Sequence, residues 1–220
     1  MLSSLSRETD FVLDFFSPYL PAIIERRKPS CLATISREGL ERVGLAFAEL
    51  IDNKSPFTAN HSLGVADLAT SIAVAMGFPA KSHPWIRIAG LLHDLGKMAV
   101  PTPLLDKPAR LTPEEFRVIQ THPYYTRLIL EHIRGLEAMA AVASMHHEKM
   151  DGSGYPVGIS APELPSEARI IAVADMYEAL TANRPYRHGL SPREALALLE
   201  KECRAGRLDP KPLEALRQVI

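Results

Sequence analysis

Cysteine is scarce in this chain, with only Cys31 and Cys203 among 220 residues. The two stand in unrelated contexts and make no CxxC motif. That excludes a disulfide framework and leaves a reducing cytoplasm as the expected compartment. An excess of either charge is missing as well. The formal net charge is −1, which argues against bulk nucleic-acid or anionic-membrane binding and leaves only local basic clusters open. No apolar run approaches the ~20 residues of a membrane span. Arg7, Glu8, Asp10 and Asp14 interrupt the N-terminal stretch, so it does not read as a signal peptide. Strand patterns, internal repeats and low-complexity tracts are also lacking.

What is present is the balance of a globular protein with a real core, 46% hydrophobic and 23% charged. The periodicity predicts an all-α, multi-helix bundle. Phe11, Val12, Phe15, Phe16, Leu20, Ile23 and Ile24 have helical spacing, interrupted at Pro18 and Pro21. Residues 28–37 read as a connector. The boundary therefore falls near residue 36, with a short helical extension (1–36) before the main domain (37–220). Ser36 is placed to cap a helix whose Leu40, Val43, Phe47 and Leu50 share a face. Further helices are expected over His61–Met76, ending at Gly77, and over Trp85–Leu95, apolar enough to be central and buried. Another starts at Thr112-Pro-Glu-Glu. Pro123–Ile133, Leu136–His146, Ser166–Ala182, a helix opened by Ser191, and Pro210–Ile220 complete the set. Residues 148–164, rich in glycine and proline, read as one long loop.

The chemistry concentrates at His93-Asp94, which offers a nitrogen and an oxygen ligand from one short stretch. The carboxylate could bridge a second ion. His61, His122, His146-His147 and Asp175 follow at intervals of about one helical hairpin, given helices of ~11–12 residues and connections of ~2–8. A bundle can point all of them into one cavity, a recurring way to build a two-metal site. Taken singly, each histidine is more simply a surface or satisfied core residue, and His83, His132 and His188 are read that way. The others argue jointly. Asp94 ends an apolar helix and Asp175 lies inside one, where an unpaired carboxylate is costly to bury. A cation is the simplest compensation. Mixed imidazole and carboxylate donors without thiolates suit iron, manganese or zinc in hydrolytic or redox work, not a closed structural zinc. Lys97, one turn past Asp94, could touch the same ligand or be a solvated surface lysine. Arg184 and Arg187 suit phosphate, and Tyr155 offers a ring face and a hydroxyl.

The ordered run His61, His93-Asp94, Lys97, His122, His146-His147-Glu148, Asp151-Gly-Ser-Gly-Tyr-Pro156 and Asp175 resembles the HD-GYP domain, a branch of the HD metal-dependent phosphohydrolases. The stretches His146–Pro156 and Ala174–Arg187 are especially similar. The resemblance runs from about Glu38 to the C-terminus. It implies an all-helical hydrolase of cyclic di-GMP that yields the linear dinucleotide through a hydroxide bridging two divalent transition ions, iron or manganese. By the same likeness His61, His93, Asp94, His122, His146, His147 and Asp175 are metal ligands, with Asp94 bridging. Lys97, Arg184 and Arg187 hold substrate phosphates, with Tyr155 in the named loop. That loop is also a candidate surface for a signalling-protein partner, and residues 1–36 for a homodimer contact or the tail of an upstream module. Ser55 and Phe57 stand where some members have an aspartate and a glutamate. Phenylalanine cannot ligate, so two metals are expected, not three. Glu178 replaces a usual aspartate, which could alter substrate contacts, and Thr126 a usual glycine, expected to affect packing. Rival readings are an HD phosphohydrolase for another nucleotide, a mixed cyclic dinucleotide included, and a non-catalytic nucleotide-binding signalling module.

Overall fold

Ser36 caps the first described helix as its sequence position predicts. Its hydroxyl accepts the Gly39 N–H at 3.1 Å and opens α1 (Arg37–Asp52). The computed structural model describes residues 34–55, 60–183 and 188–220. The expected helices of residues 8–27, together with Phe57, Arg184 and Arg187, lie outside the described residues.

After α1 come α2 (His61–Ala75), α3 (His83–Leu92) and a 3-10 turn (Leu95–Ala99). The short α4 (Thr102–Leu105) and α5 (Pro113–Ile119) lead to α6 (His122–Glu131) and α7 (Glu137–Ser144). A loop then delivers α8 (Ser166–Thr181), α9 (Pro192–Arg204) and α10 (Pro210–Val219). The starts follow local chemistry. Thr112 and Ser191 form capping boxes with Glu115 and Glu194, each followed by proline in the first turn. Among the described residues the structure is all helical apart from one isolated bridge, Asp151 to Ser160. No helix among them is long and apolar enough to cross a membrane.

The centre of the bundle is α2 against α3 and α8, with α10 closing over α2. Val65, Ala66, Ala69, Ile72, Ile88, Leu91, Ile170, Ile171 and Val173 are buried there. α2 and α3 approach so closely that a Cβ on Gly90 would sit 2.8 Å from the Ala66 Cα, so only glycine fits. The expected Trp85–Leu95 helix is central and buried but stops at Leu92, after which the chain tightens into the His93-Asp94 turn. The face expected for α1 holds only at Leu40, which is partly buried against the core. Val43, Phe47 and Leu50 are exposed, whereas Gly44, Ala48 and Ile51 face inward. Small residues let α1 lie close on α3, where a Gly44 Cβ would already touch Leu91 Cδ1 at 3.4 Å. The 148–164 segment is more ordered than a plain loop, with the Asp151 bridge and a 3-10 turn at Ala161–Glu163.

Candidate metal centre

The histidines singled out in the sequence sit at helix ends. His61 opens α2, His93 follows the last residue of α3, His122 opens α6, and His146-His147 follow α7. Helix C-termini leave carbonyls without intrahelical partners, and three imidazoles use them. The Nδ1 of His93 donates to Gly90 O at 2.7 Å, that of His122 to Ile119 O at 2.7 Å, and that of His146 to Ala143 O at 2.8 Å. Each bond reaches three residues back. It fixes the proton on Nδ1 and leaves the Nε2 lone pair to face inward.

Asp94 lies where these lone pairs meet and is 2% exposed. Its Oδ2 is 3.3 Å from His93 Nε2 and 3.7 Å from His61 Nε2. Its Oδ1 is 3.2 Å from His122 Nε2 and 3.8 Å from His146 Nε2. One carboxylate thus turns each oxygen toward a different imidazole group. Asp175, reaching in from the middle of α8, places Oδ1 3.3 Å from His61 Nε2 and Oδ2 3.9 Å from His147 Nδ1. Donor atoms within 4.8 Å of one another occur in the sets His61/His93/Asp94, His122/His146/His147 and His93/His146/Asp175.

The donor set fits metal ions on two observations. His93 Nε2 and Asp94 Oδ1 are buried and make no hydrogen bond, a costly state without a further partner. His122 Nε2 and His146 Nε2 face each other at 3.2 Å although both rings already spend their proton on a carbonyl. Two lone pairs so placed repel each other unless a cation joins them. Lys97 is not a freely solvated lysine. Its ammonium contacts Asp94 Oδ2 at 2.5 Å.

The charges follow from burial and neighbours. Burial opposes ionisation of Asp94, yet Lys97 and His93 hold it well below the usual carboxylate range. Asp175 is depressed too, with burial again outweighed by His61 and His93. For His61 burial is overcome by Asp175 and Glu178, which lift it to about 10. His146 is held well below its ordinary value by burial and the adjacent His147 charge. His147 is pushed down to about 3, chiefly by burial, although 29% of its side chain remains open to solvent. Burial raises the Tyr155 hydroxyl, with Asp175 and Asp94 adding to the shift, so it stays protonated.

Several supporting residues were not legible as such. Lys54, two residues past the end of α1, donates at 2.8 Å to each of the carbonyls of Lys97, Met98 and Val100 and clamps the 3-10 turn. Asp52 accepts from the Ser62 N–H at 3.0 Å and the Ser62 hydroxyl at 2.7 Å, capping the helix that His61 opens. Nothing local in the sequence signals either contact. Thr126 does more than pack. Its hydroxyl donates to His93 O at 2.9 Å and accepts the Gly96 N–H at 2.8 Å. There the chain passes so close to α6 that a Cβ on Gly96 would overlap His122 O. Glu178 meets His61 Nδ1, a contact to a candidate ligand. Ser55 is buried and donates to Asp106 at 2.7 Å. Glu148 lies outside the donor sets. Its carboxylate accepts the Val157 N–H at 2.7 Å and the Gly158 N–H at 3.0 Å, folding the loop. That loop lays the Tyr155 ring 4.7 Å from the His147 ring, centre to centre.

A helical bundle carrying the His-Asp pair between two imidazole groups is the HD arrangement. Residues 46–211 match the HD domain family, and the chain belongs to it. Its relatives agree with the HD-GYP resemblance. The chain is 40% identical over 181 residues to the 3'3'-cGAMP-specific phosphodiesterase 3 of Vibrio cholerae, a match covering 82% of this chain and 39% of that protein. It is 37% identical over 168 residues to a cyclic di-GMP phosphodiesterase of Pseudomonas aeruginosa, covering 74% of this chain and 39% of that one. A crystal structure of a cyclic GMP-AMP-specific phosphodiesterase of V. cholerae superposes with a TM-score of 0.57 at 31% identity, covering 98% of this chain and 49% of that one. The chain thus spans about two fifths of the length of these curated relatives.

Proposed function

We propose that this chain is a metal-dependent phosphodiesterase that opens cyclic di-GMP to the linear dinucleotide. The observation that carries the reading is the Asp94 carboxylate, with one oxygen toward His61 and His93 and the other toward His122 and His146. In this reading His61, His93, Asp94 and Asp175 would hold one divalent ion, and His122, His146, His147 and Asp94 a second. Iron or manganese suits these donors. Such ions lower the pKa of a bound water and neutralise phosphoryl oxygens. The rest is the work of the chain's own residues. Lys97 supplies fixed positive charge beside Asp94, where the phosphoryl group gains negative charge. Tyr155 keeps its proton and can donate to a phosphate oxygen. Arg184 and Arg187 complete the grip on the second phosphate. The bundle's fixed Nδ1–carbonyl bonds keep the ligands oriented at no cost during turnover.

The wider reading is a cytoplasmic signalling hydrolase, with a domain from residue 37 and an extension that could pair two copies. The loop around Tyr155 is the surface offered to a partner protein. A second substrate, 3'3'-cGAMP, is favoured by the 40% identity to a phosphodiesterase named for it. The test is a panel of cyclic di-GMP, 3'3'-cGAMP and cyclic di-AMP incubated with anaerobically purified protein, with products separated by chromatography. Linear dinucleotide from cyclic di-GMP at the highest kcat/KM supports the reading. Preference for 3'3'-cGAMP moves the assignment to the second substrate. Tight nucleotide binding without turnover, in the presence of iron or manganese, would make the domain a binding module.

A further inference from the structure

His61 meets a carboxylate through its Nδ1, where His93, His122 and His146 each meet a backbone carbonyl. It opens α2 and follows Asn60, whose backbone is left-handed at φ 60°. The residue three positions upstream lies outside the described residues. The Nδ1 of His61 turns to Glu178 on α8. Glu178 lies three residues after Asp175, so both acids share a helix face and both reach the same ring. Its path crosses α2 at Gly64, where a Cβ would stand 3.0 Å from Glu178 Cγ and 3.4 Å from Oε1. The missing side chain makes the lane that the glutamate occupies.

The arrangement also divides charge unevenly. Asp94 Oδ2, Asp175 Oδ1 and Glu178 crowd around His61 and His93, with Lys97 offsetting the charge of Asp94 Oδ2. On the other side His122 and His146 meet Asp94 Oδ1 and donate to neutral carbonyls, Asp175 Oδ2 stands 3.9 Å from His147 Nδ1, and no third carboxylate joins them among the described contacts.

We propose that Glu178, laid over Gly64, is a positioning residue that aims His61 Nε2 into the centre and makes the His61 side the tighter of two unequal cation sites. A carboxylate on the far nitrogen of a metal-binding imidazole raises its basicity as a ligand and fixes its orientation, and loss of such a partner typically weakens metal binding ~10–100-fold. The inference rests on the two-ion reading above but on no particular substrate.

The test uses the whole chain, stripped of metal and titrated anaerobically with manganese(II) alone in a calorimeter. The unaltered chain should bind in two resolved steps. Glu178→Gln keeps the volume and an acceptor oxygen but loses the charge, so it should weaken the first step about 10-fold or more and spare the second. Gly64→Ala should weaken the same step by displacing the glutamate. In a Glu178→Ala background Gly64→Ala should add no further loss, because nothing is left to displace. Circular dichroism of the metal-free variants controls for folding. Two equal steps, an unaltered first step in Glu178→Gln, or the same Gly64→Ala penalty in both backgrounds would overturn the proposal. Absence of any manganese binding by the unaltered chain removes it together with the two-ion reading. Unequal binding that responds to Glu178, in a protein that hydrolyses no cyclic dinucleotide, supports the proposal and counts against the proposed function alone.

Discussion

Asp94 and Lys97 touch each other, yet their replacement should produce different failures. Removing the Asp94 carboxylate deletes the oxygen facing each imidazole group. Asp94→Ala should therefore lose both metal and turnover. Lys97→Met keeps the length of the side chain and leaves the donor set whole. It should retain metal content and lose on the order of 10²-fold in kcat, as loss of a fixed charge-stabilising donor does. Metal analysis and steady-state kinetics on both variants check this. Equal metal loss in the two would show that Lys97 is part of the scaffold. Asp94 was legible in the sequence, because a buried carboxylate at the end of an apolar helix demands compensation, whereas Lys97 read equally as a solvated surface lysine. The roles of Thr126 and Glu178 were not legible. Their positions stood out, but hydrogen bonding to His93 and His61 depends on which elements cross, and side-chain identity alone does not carry that.

At the scale of elements, the helices were readable because most bury a stripe at the helical period. α1 was the exception, and its reason is physical. Gly44 lies against Ile88 and Leu91 of α3 and Ala48 is buried one turn on, so closeness of approach outweighed side-chain hydrophobicity. The clamps between elements were invisible for another reason. Lys54 meets carbonyls more than forty positions away, and no local pattern encodes that. Two substitutions test these elements. Thr126→Val leaves the His93 carbonyl and the Gly96 N–H without the hydroxyl between them. It should cost about 1–3 kcal/mol in denaturant unfolding, with no new charge or large change in volume. Unchanged stability would make the hydroxyl dispensable. Glu148→Ala should free the Val157 and Gly158 amides, so their hydrogen exchange should accelerate while the buried amides of α2 keep their protection. Slow exchange at both loop amides would mean that the loop is held by other contacts.

For the molecule as a whole, the centre should make stability depend on pH with opposite slopes on the two sides of neutrality. His146 and His147 are depressed below their unfolded value of ~6.5. Their contribution is present above that pH and is lost as pH falls toward about 3. The depressed Asp94 and Asp175 add to the same acid loss as pH drops through the carboxylate range and below. His61 runs the other way. Lifted to about 10, it stabilises the metal-free fold below ~6.5, and that contribution disappears as pH rises through its folded value. A bound cation takes the place of the Nε2 proton, so the alkaline loss should be seen in chelator-treated protein and vanish after metal is restored. Melting temperatures of both forms across this range check it, and superimposable profiles would contradict it. A two-ion centre shared through Asp94 is tested most simply by the metal content per chain of protein purified anaerobically. Close to two ions are expected in the unaltered chain, with a clear loss in Asp94→Ala. A saturated value of three, a value near one or zero, or an Asp94→Ala variant with its metal undiminished would contradict it.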